Sequence, residues 1–193
     1  MAGTDAQIIG RSIDEPALFE EIFDRHYEII RGYAQRRLGS DDGEEVAAST
    51  FEQAFMLRRR FDGTTSTSAR PWLFGIANNL VRSHLRHADV EHRHLPVSIS
   101  PEIFESEPNL DAIDAQRQAP RLQAALSALS DPDRETFLLV VLGELAYADV
   151  AAIVGVPVGT VRSRVNRARS SLRELLGPPE AINSGEEEQG TPE

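Results

Sequence analysis
Tyr147 to Leu176 reads YADVAAIVGVPVGTVRSRVNRARSSLRELL. A short segment carrying Val150, Ala151 and Val154 on one side meets Gly155, the residue type that best accepts a sharp turn, and Pro157 then opens a longer helix. On that second helix Val161, Val165, Ala168 and Leu172 follow one another at steps of four, three and four, which predicts a buried stripe. Two helices joined at this spacing predict a helix-turn-helix.

The stripe leaves Thr160, Arg162, Ser163, Asn166, Arg167, Arg169 and Arg173 facing outward. Between Gly159 and Arg173 there are five arginines and no acid, a distribution suited to a polyanion and unlike the mixed charges of a merely solvated helix face. The first turns of a recognition helix enter the major groove, so Arg162, Ser163, Asn166 and Arg167 are the base-edge candidates; arginine grips guanine, and asparagine adenine, through two parallel bonds. Arg164, Arg169 and Arg173 are assigned to the phosphate backbone.

Working back toward the N-terminus, Leu122, Ala125, Leu126 and Leu129 predict a short helix, and SDPDR at 130–134 is a start signal, with Ser130 or Asp131 as cap. The helix that follows, about Pro132 to Glu144, is expected to bury Phe137, Leu138, Val141 and Leu142. Before it, LPVSISPEIFESEPNLDAID at 95–114 holds three prolines, five acids and no base, and reads as a linker. Farther upstream, Phe19, Ile22, Phe23, Ile30, Tyr33 and Ala34 mark one helix ended by Gly39. Ala47, Phe51, Ala54, Phe55 and Arg58 mark a second, from about Glu44 to Arg60. Leu73, Ile76, Ala77, Leu80 and Leu85 mark a third after Pro71. No strand pattern competes, so the expected fold is all-α: two helical domains at 15–95 and 116–176, an acidic flexible linker at 96–115, and a disordered acidic tail at 177–193.

The 193 residues carry a net charge of -11, but unevenly. Segments 69–95 and 116–176 each come to +2, while the linker and the tail each hold -5, so a polyanion meets two mildly basic blocks. There is no cysteine, and all 20 basic residues are arginine, which excludes disulfides, thiolate metal sites, Schiff-base lysine chemistry and a phosphate-loop lysine. No apolar run approaches the roughly 20 residues of a membrane span, and MAGTDAQIIG has no signal-peptide pattern, so a cytoplasmic location without membrane insertion is expected. No cofactor is called for.

The GTVRSRVNRAR segment resembles the minus-35 recognition helix in domain four of bacterial sigma-70-family initiation factors, extracytoplasmic-function (group IV) subfamily. PWLFGIANNLVRSHLRH at 71–87 resembles the domain-two helix that opens and reads the minus-10 element, and DDGEEVAASTFEQAFMLRRRFDG is similar to the helix that docks on polymerase. The resemblance implies a non-enzymatic factor that binds core RNA polymerase, recognises both promoter elements and promotes melting. It places Asn78 and Asn79 on a flipped base, Arg82, Ser83 and Arg86 on phosphates, and Trp72 either on a base or in the core. Glu44, Glu45, Phe51 and Phe55 match positions that meet the clamp helices of the largest polymerase subunit, with the phenylalanines alternatively serving the domain's own core. Domain four would meet the flap of the second-largest subunit, and the linker would thread toward the RNA exit path.

The sequence departs from the family pattern at Ser49 and Thr50, where a glutamine-glutamate pair is usual, and after His87, where ADVEHRHL replaces an arginine run. His84, His87, His92 and His94 read as a solvated or phosphate-facing cluster, since no ligand set is complete enough to assign a metal. An anti-sigma partner is expected from the resemblance; alternatively the acidic tail competes for the arginine helix. A DNA-binding regulator that works without polymerase would need a dimerisation surface, and no heptad run supplies one. A small hydrolase lacks a nucleophile elbow, a metal triad and a phosphate loop.

Overall fold
The computed structural model describes residues 3–64, 66–91 and 120–176. The linker, the tail and residues 92–95, with His92 and His94, lie outside the described residues. All regular structure among the described residues is helical.

The first helix, α1 (Asp5–Arg11), was not anticipated from the sequence because seven residues are too few to display a period. Thr4 and Gln7 close a reciprocal capping box at its start. Its Asp5 carboxylate is buried, accepting from the backbone N–H of Ala69 at 2.9 Å and from Arg25 at 3.0 Å, and lying 2.8 Å from His26 Nε2. One side chain therefore ties α1 to α2 (Glu20–Leu38) and to the start of α4 (Arg70–Glu91). Burial alone pushes the Asp5 carboxyl up, but the Ala69 N–H, His26 and Arg25 more than reverse this, so it ionises below its ordinary 3.8.

A 3-10 turn at Pro16–Phe19 leads into α2, which Gly39 ends with φ of 98°. The next helix, α3 (Ser40–Leu57), begins at once, four residues earlier than the sequence suggests, and a 3-10 turn at Arg58–Arg60 finishes it. α2 and α3 approach most closely at Gly43, where a Cβ would lie 2.5 Å from Gln35 Cα. Ile22, Ile30, Tyr33, Ala47, Ala54, Leu73, Phe74, Ala77 and Val81 form the core of this unit, with the Tyr33 and Phe74 rings edge-on at 5.3 Å. Phe23, expected on the buried stripe of α2, is instead exposed; the inward positions are Ile22, His26, Ile30, Tyr33 and Arg37.

Among the described residues the second unit has four helices: α5 over residues 120–127, α6 (Asp131–Val141), α7 (Tyr147–Val154) and α8 (Val158–Leu176). Ser130 caps α6 by accepting from the Asp133 N–H. Leu138 and Leu139 are the buried pair of α6; Phe137 and Leu142 are half-buried and Val141 is exposed, so the inward face is rotated from the one expected. The turn between α7 and α8 uses Gly155 at φ 71°, and Val161, Val165, Ala168 and Leu172 are all buried as their spacing requires. The two units touch through α4 against α7 and α2 against α6.

Gly43→Ala forces α2 and α3 apart and is expected to cost about 1–3 kcal/mol in thermal or urea unfolding, whereas Gly10→Ala, with open space around its Cβ, is neutral or slightly stabilising. Asp5→Asn removes charge-assisted bonds and costs about 1–3 kcal/mol at pH 7. Because the folded carboxyl ionises below its unfolded range, this contribution is present above about pH 4. The deficit of the variant shrinks as pH falls through the folded pKa, which urea titrations at several pH values read directly.

Candidate nucleic-acid interface
A straight helix turns about 100° per residue, so the buried stripe of α8 obliges the intervening positions to point elsewhere. Arg162, Ser163, Asn166, Arg167, Arg169 and Arg173 are exposed; Thr160 and Arg164 are half-buried at the margin. The Ser163 hydroxyl donates to the Thr160 carbonyl at 2.9 Å, leaving its lone pairs outward. Arg162, Arg169 and Arg173 have no ion-pair partner among the described residues. Arg167 differs: its Nε and Nη2 donate to the two oxygens of Asp133 on α6, at 3.2 and 2.7 Å. That guanidinium holds the Asp133 carboxyl below its ordinary 3.8.

The candidates on α4 separate sharply. Asn78 lies fully buried, its side-chain oxygen accepting from the Tyr33 hydroxyl at 2.7 Å, and burial raises the Tyr33 pKa. It belongs to the core in this arrangement, contrary to its expected place on a flipped base. Asn79, one residue on, is exposed, as is Arg86; Ser83 is half-buried. Trp72 is half-buried with its ring 5.1 Å from that of Phe61. Arg82 reaches the other unit, donating through Nε and Nη2 to the two oxygens of the buried Glu135 at 2.6 and 2.9 Å. Arg70 pairs with Glu144, and Arg37 donates to the Asp131 carbonyl at 3.4 Å, so three arginines of the first unit engage the second. In this closed arrangement the Nε–Nη2 edge of Arg82 is taken by Glu135.

On α3, Glu45 is exposed, while Glu44 accepts from the Tyr27 hydroxyl and lies 3.7 Å from Arg31. Burial, with Glu44 beside it, pushes the Tyr27 pKa up to about 12. Phe51 is buried in the core; Phe55 is half-buried beneath the Arg58 guanidinium, 3.9 Å from the ring centroid. Ser49 is half-buried, and the Thr50 hydroxyl is turned inward onto the Val46 carbonyl. The apolar surface of this region is supplied by Phe23, expected inside but 39% exposed and stacked on Tyr27, and by Met56, 74% exposed and not singled out in the sequence. Phe23 borders a shallow groove of about 440 Å³ with Phe19, Ala48, Phe51 and Phe55. His84 lies 3.1 Å from Asp42 across the α4–α3 contact, and His87 is exposed.

Residues 22–90 match the family described as Sigma-70 region 2, and residues 120–172 match Sigma-70, region 4. The ECF RNA polymerase sigma factor EcfG of Rhodopseudomonas palustris is 38% identical over 148 residues, 76% of this chain and 78% of that protein. The probable RNA polymerase sigma-C factor of Mycobacterium bovis is 36% identical over 141 residues, 70% of this chain and 69% of that protein. Among solved structures, the sigma factor RpoE of Bartonella quintana, in complex with the anti-sigma factor NepR, is similar with a TM-score of 0.67. That match has 28% identity and covers 82% of this chain and 96% of that one.

The Arg82–Glu135 pair predicts a measurable coupling between the units. A double-mutant cycle of Arg82→Ala and Glu135→Ala, read by thermal unfolding, is expected to give about 1–2 kcal/mol, the modest size reflecting the solvent-facing side of Arg82.

Proposed function
The chain belongs to the sigma-70 family of RNA polymerase initiation factors, in its extracytoplasmic-function branch, and from that membership we propose how its residues divide the work. It is a promoter-recognition factor for RNA polymerase. The first turns of α8 read the minus-35 element through Arg162, Asn166 and Arg167, while Arg169 and Arg173 hold phosphates. The observation that carries this reading is the exposed arginine face of α8 between Gly159 and Arg173, a stretch without an acid, opposite a fully buried stripe.

Asn79 and Arg86 on the open face of α4 take the minus-10 strand during melting, with Arg82 and Ser83 joining when the two units separate. In the closed arrangement Glu135 holds the Nε–Nη2 edge of Arg82, and separation of the units frees that edge as well. The surface of α3 around Glu45, with the neighbouring Phe23, docks on core polymerase. The factor itself is non-catalytic and acts in the cytoplasm with the polymerase. A cognate anti-sigma protein restrains it, a reading supported by the similar RpoE of Bartonella quintana having been solved with NepR.

Co-purification with bacterial core polymerase, followed by runoff transcription from a promoter library, tests the whole reading. Promoter-dependent transcripts from the reconstituted holoenzyme are the expected result; a protein that shifts duplex DNA but does not bind core is instead a stand-alone regulator. Within the same assay, Arg162→Ala is expected to cost about 1–3 kcal/mol at particular minus-35 base pairs. Arg173→Ala weakens all promoters alike and flattens the salt dependence. Asn79→Ala lowers open-complex formation without changing thermal stability, and Asn78→Ala lowers thermal stability first.

A further inference from the structure
We infer that Asp133 is a positioning residue for promoter specificity: it holds Arg167 by one edge so that the other edge is presented to a guanine in the minus-35 element. The inference rests on the reading of α8 as the minus-35 recognition helix.

An arginine carries five N–H donors on a planar group. Asp133 takes the edge formed by Nε and Nη2, with both bonds in hydrogen-bond range and one to each carboxylate oxygen. The far edge, formed by Nη1 and the second hydrogen of Nη2, is left unengaged, and it is the edge whose two parallel donors match guanine O6 and N7. Engaging one edge therefore does not consume the other. It removes most of the rotamer freedom of a long side chain before DNA arrives, and that freedom is otherwise lost on binding.

Asp133 is built to hold rather than to be held. It sits in the first turn of α6, a favourable position for a carboxylate, and its own backbone N–H is capped by Ser130. Its side chain is only 14% exposed, while that of Arg167 is 60% exposed. The fixed partner is thus inside the unit and the presented group is outside it. Arg164, half-buried on the same helix, adds a second positive charge acting on Asp133 and helps keep the carboxylate ionised so close to a DNA surface. Arg162, Arg169 and Arg173, with no such carboxylate, keep the freedom expected of backbone-tracking arginines or of a contact formed on arrival.

The test uses holoenzyme reconstituted with core polymerase and a promoter set in which each minus-35 base pair is changed in turn. Arg167→Ala first identifies the base pair that Arg167 reads. Asp133→Asn is then expected to lower discrimination at that same base pair by about fivefold or more, with discrimination at the other positions unchanged and overall DNA affinity equal or higher, because a negative charge has left the interface. Asp133→Glu, which keeps the charge on a longer arm, recovers part of the discrimination. Thermal unfolding of each variant shows whether α6 and α8 still pack. Unchanged discrimination in Asp133→Asn overturns the proposal, as does an equal loss at every position, which marks a merely structural role. A uniform loss in Arg167→Ala overturns it together with base reading by Arg167, whereas a holoenzyme that gives no promoter-dependent transcripts even with the unaltered chain overturns the recognition-helix reading beneath it.

Discussion
Burial of one face of α4 between α2 and α3 is the constraint on which the arrangement turns. Leu73, Phe74, Ala77, Asn78 and Val81 all lie inside, and the Tyr33 hydroxyl meets the Asn78 side chain within the apolar core. A polar pair placed there has few alternative partners, so it fixes the rotation of α4 about its axis more tightly than apolar packing alone. Once that rotation is set, Asn79 and Arg86 must face solvent, and Arg82 must point toward the second unit. The candidate minus-10 face is the remainder left by the core.

Carboxylates manage the arginines of both units. The chain is acidic overall, yet the candidate DNA-facing helices α4 and α8 are basic, and two of the acids that meet them lie on α6. Glu135 is buried and takes Arg82 across the boundary between units; Asp133, two residues earlier on the same helix, takes Arg167 within one unit. Two positions apart on α6, and so about 200° around its axis, they address two different surfaces. One pair joins the two units and the other braces a side chain within one unit, through side-on arginine–carboxylate contacts of nearly the same geometry.

The face of α2 and α3 proposed to dock on polymerase follows another logic. Phe51 completes the core, Phe55 is covered by Arg58, and the aromatic left at the surface is Phe23, supported by stacking on Tyr27. An exposed aromatic held by a neighbour is ordered in advance, which reduces what a partner has to immobilise.

How far these features were legible depends on the range of the interaction behind them. The helix-turn-helix and the outward face of α8 follow from spacing within 30 residues, because a buried stripe with Gly155 and Pro157 at its turn leaves one helical phase open. The all-helical character was readable for the same reason, the family from the resemblance of three segments, and the start of α6 from SDPDR, where the structure selects Ser130 as the cap. Asn78 and Asn79 were not separable, since adjacent residues share every local signal and only the packing partner, Tyr33 at a distance of 45 residues, decides which one is buried. Arg82 and Arg167 looked like free cations in the sequence; Glu135 and Asp133 reach them from 53 and 34 residues away, and no local pattern announces a bidentate pair. The sequence by itself determined the longer helices and which of their faces are basic, because those depend on near-neighbour periodicity, which the seven residues of α1 are too few to show. Tertiary structure alone decided which basic groups are held, by whom and by which edge, because a directional contact exists only once distant helices have been rotated against one another.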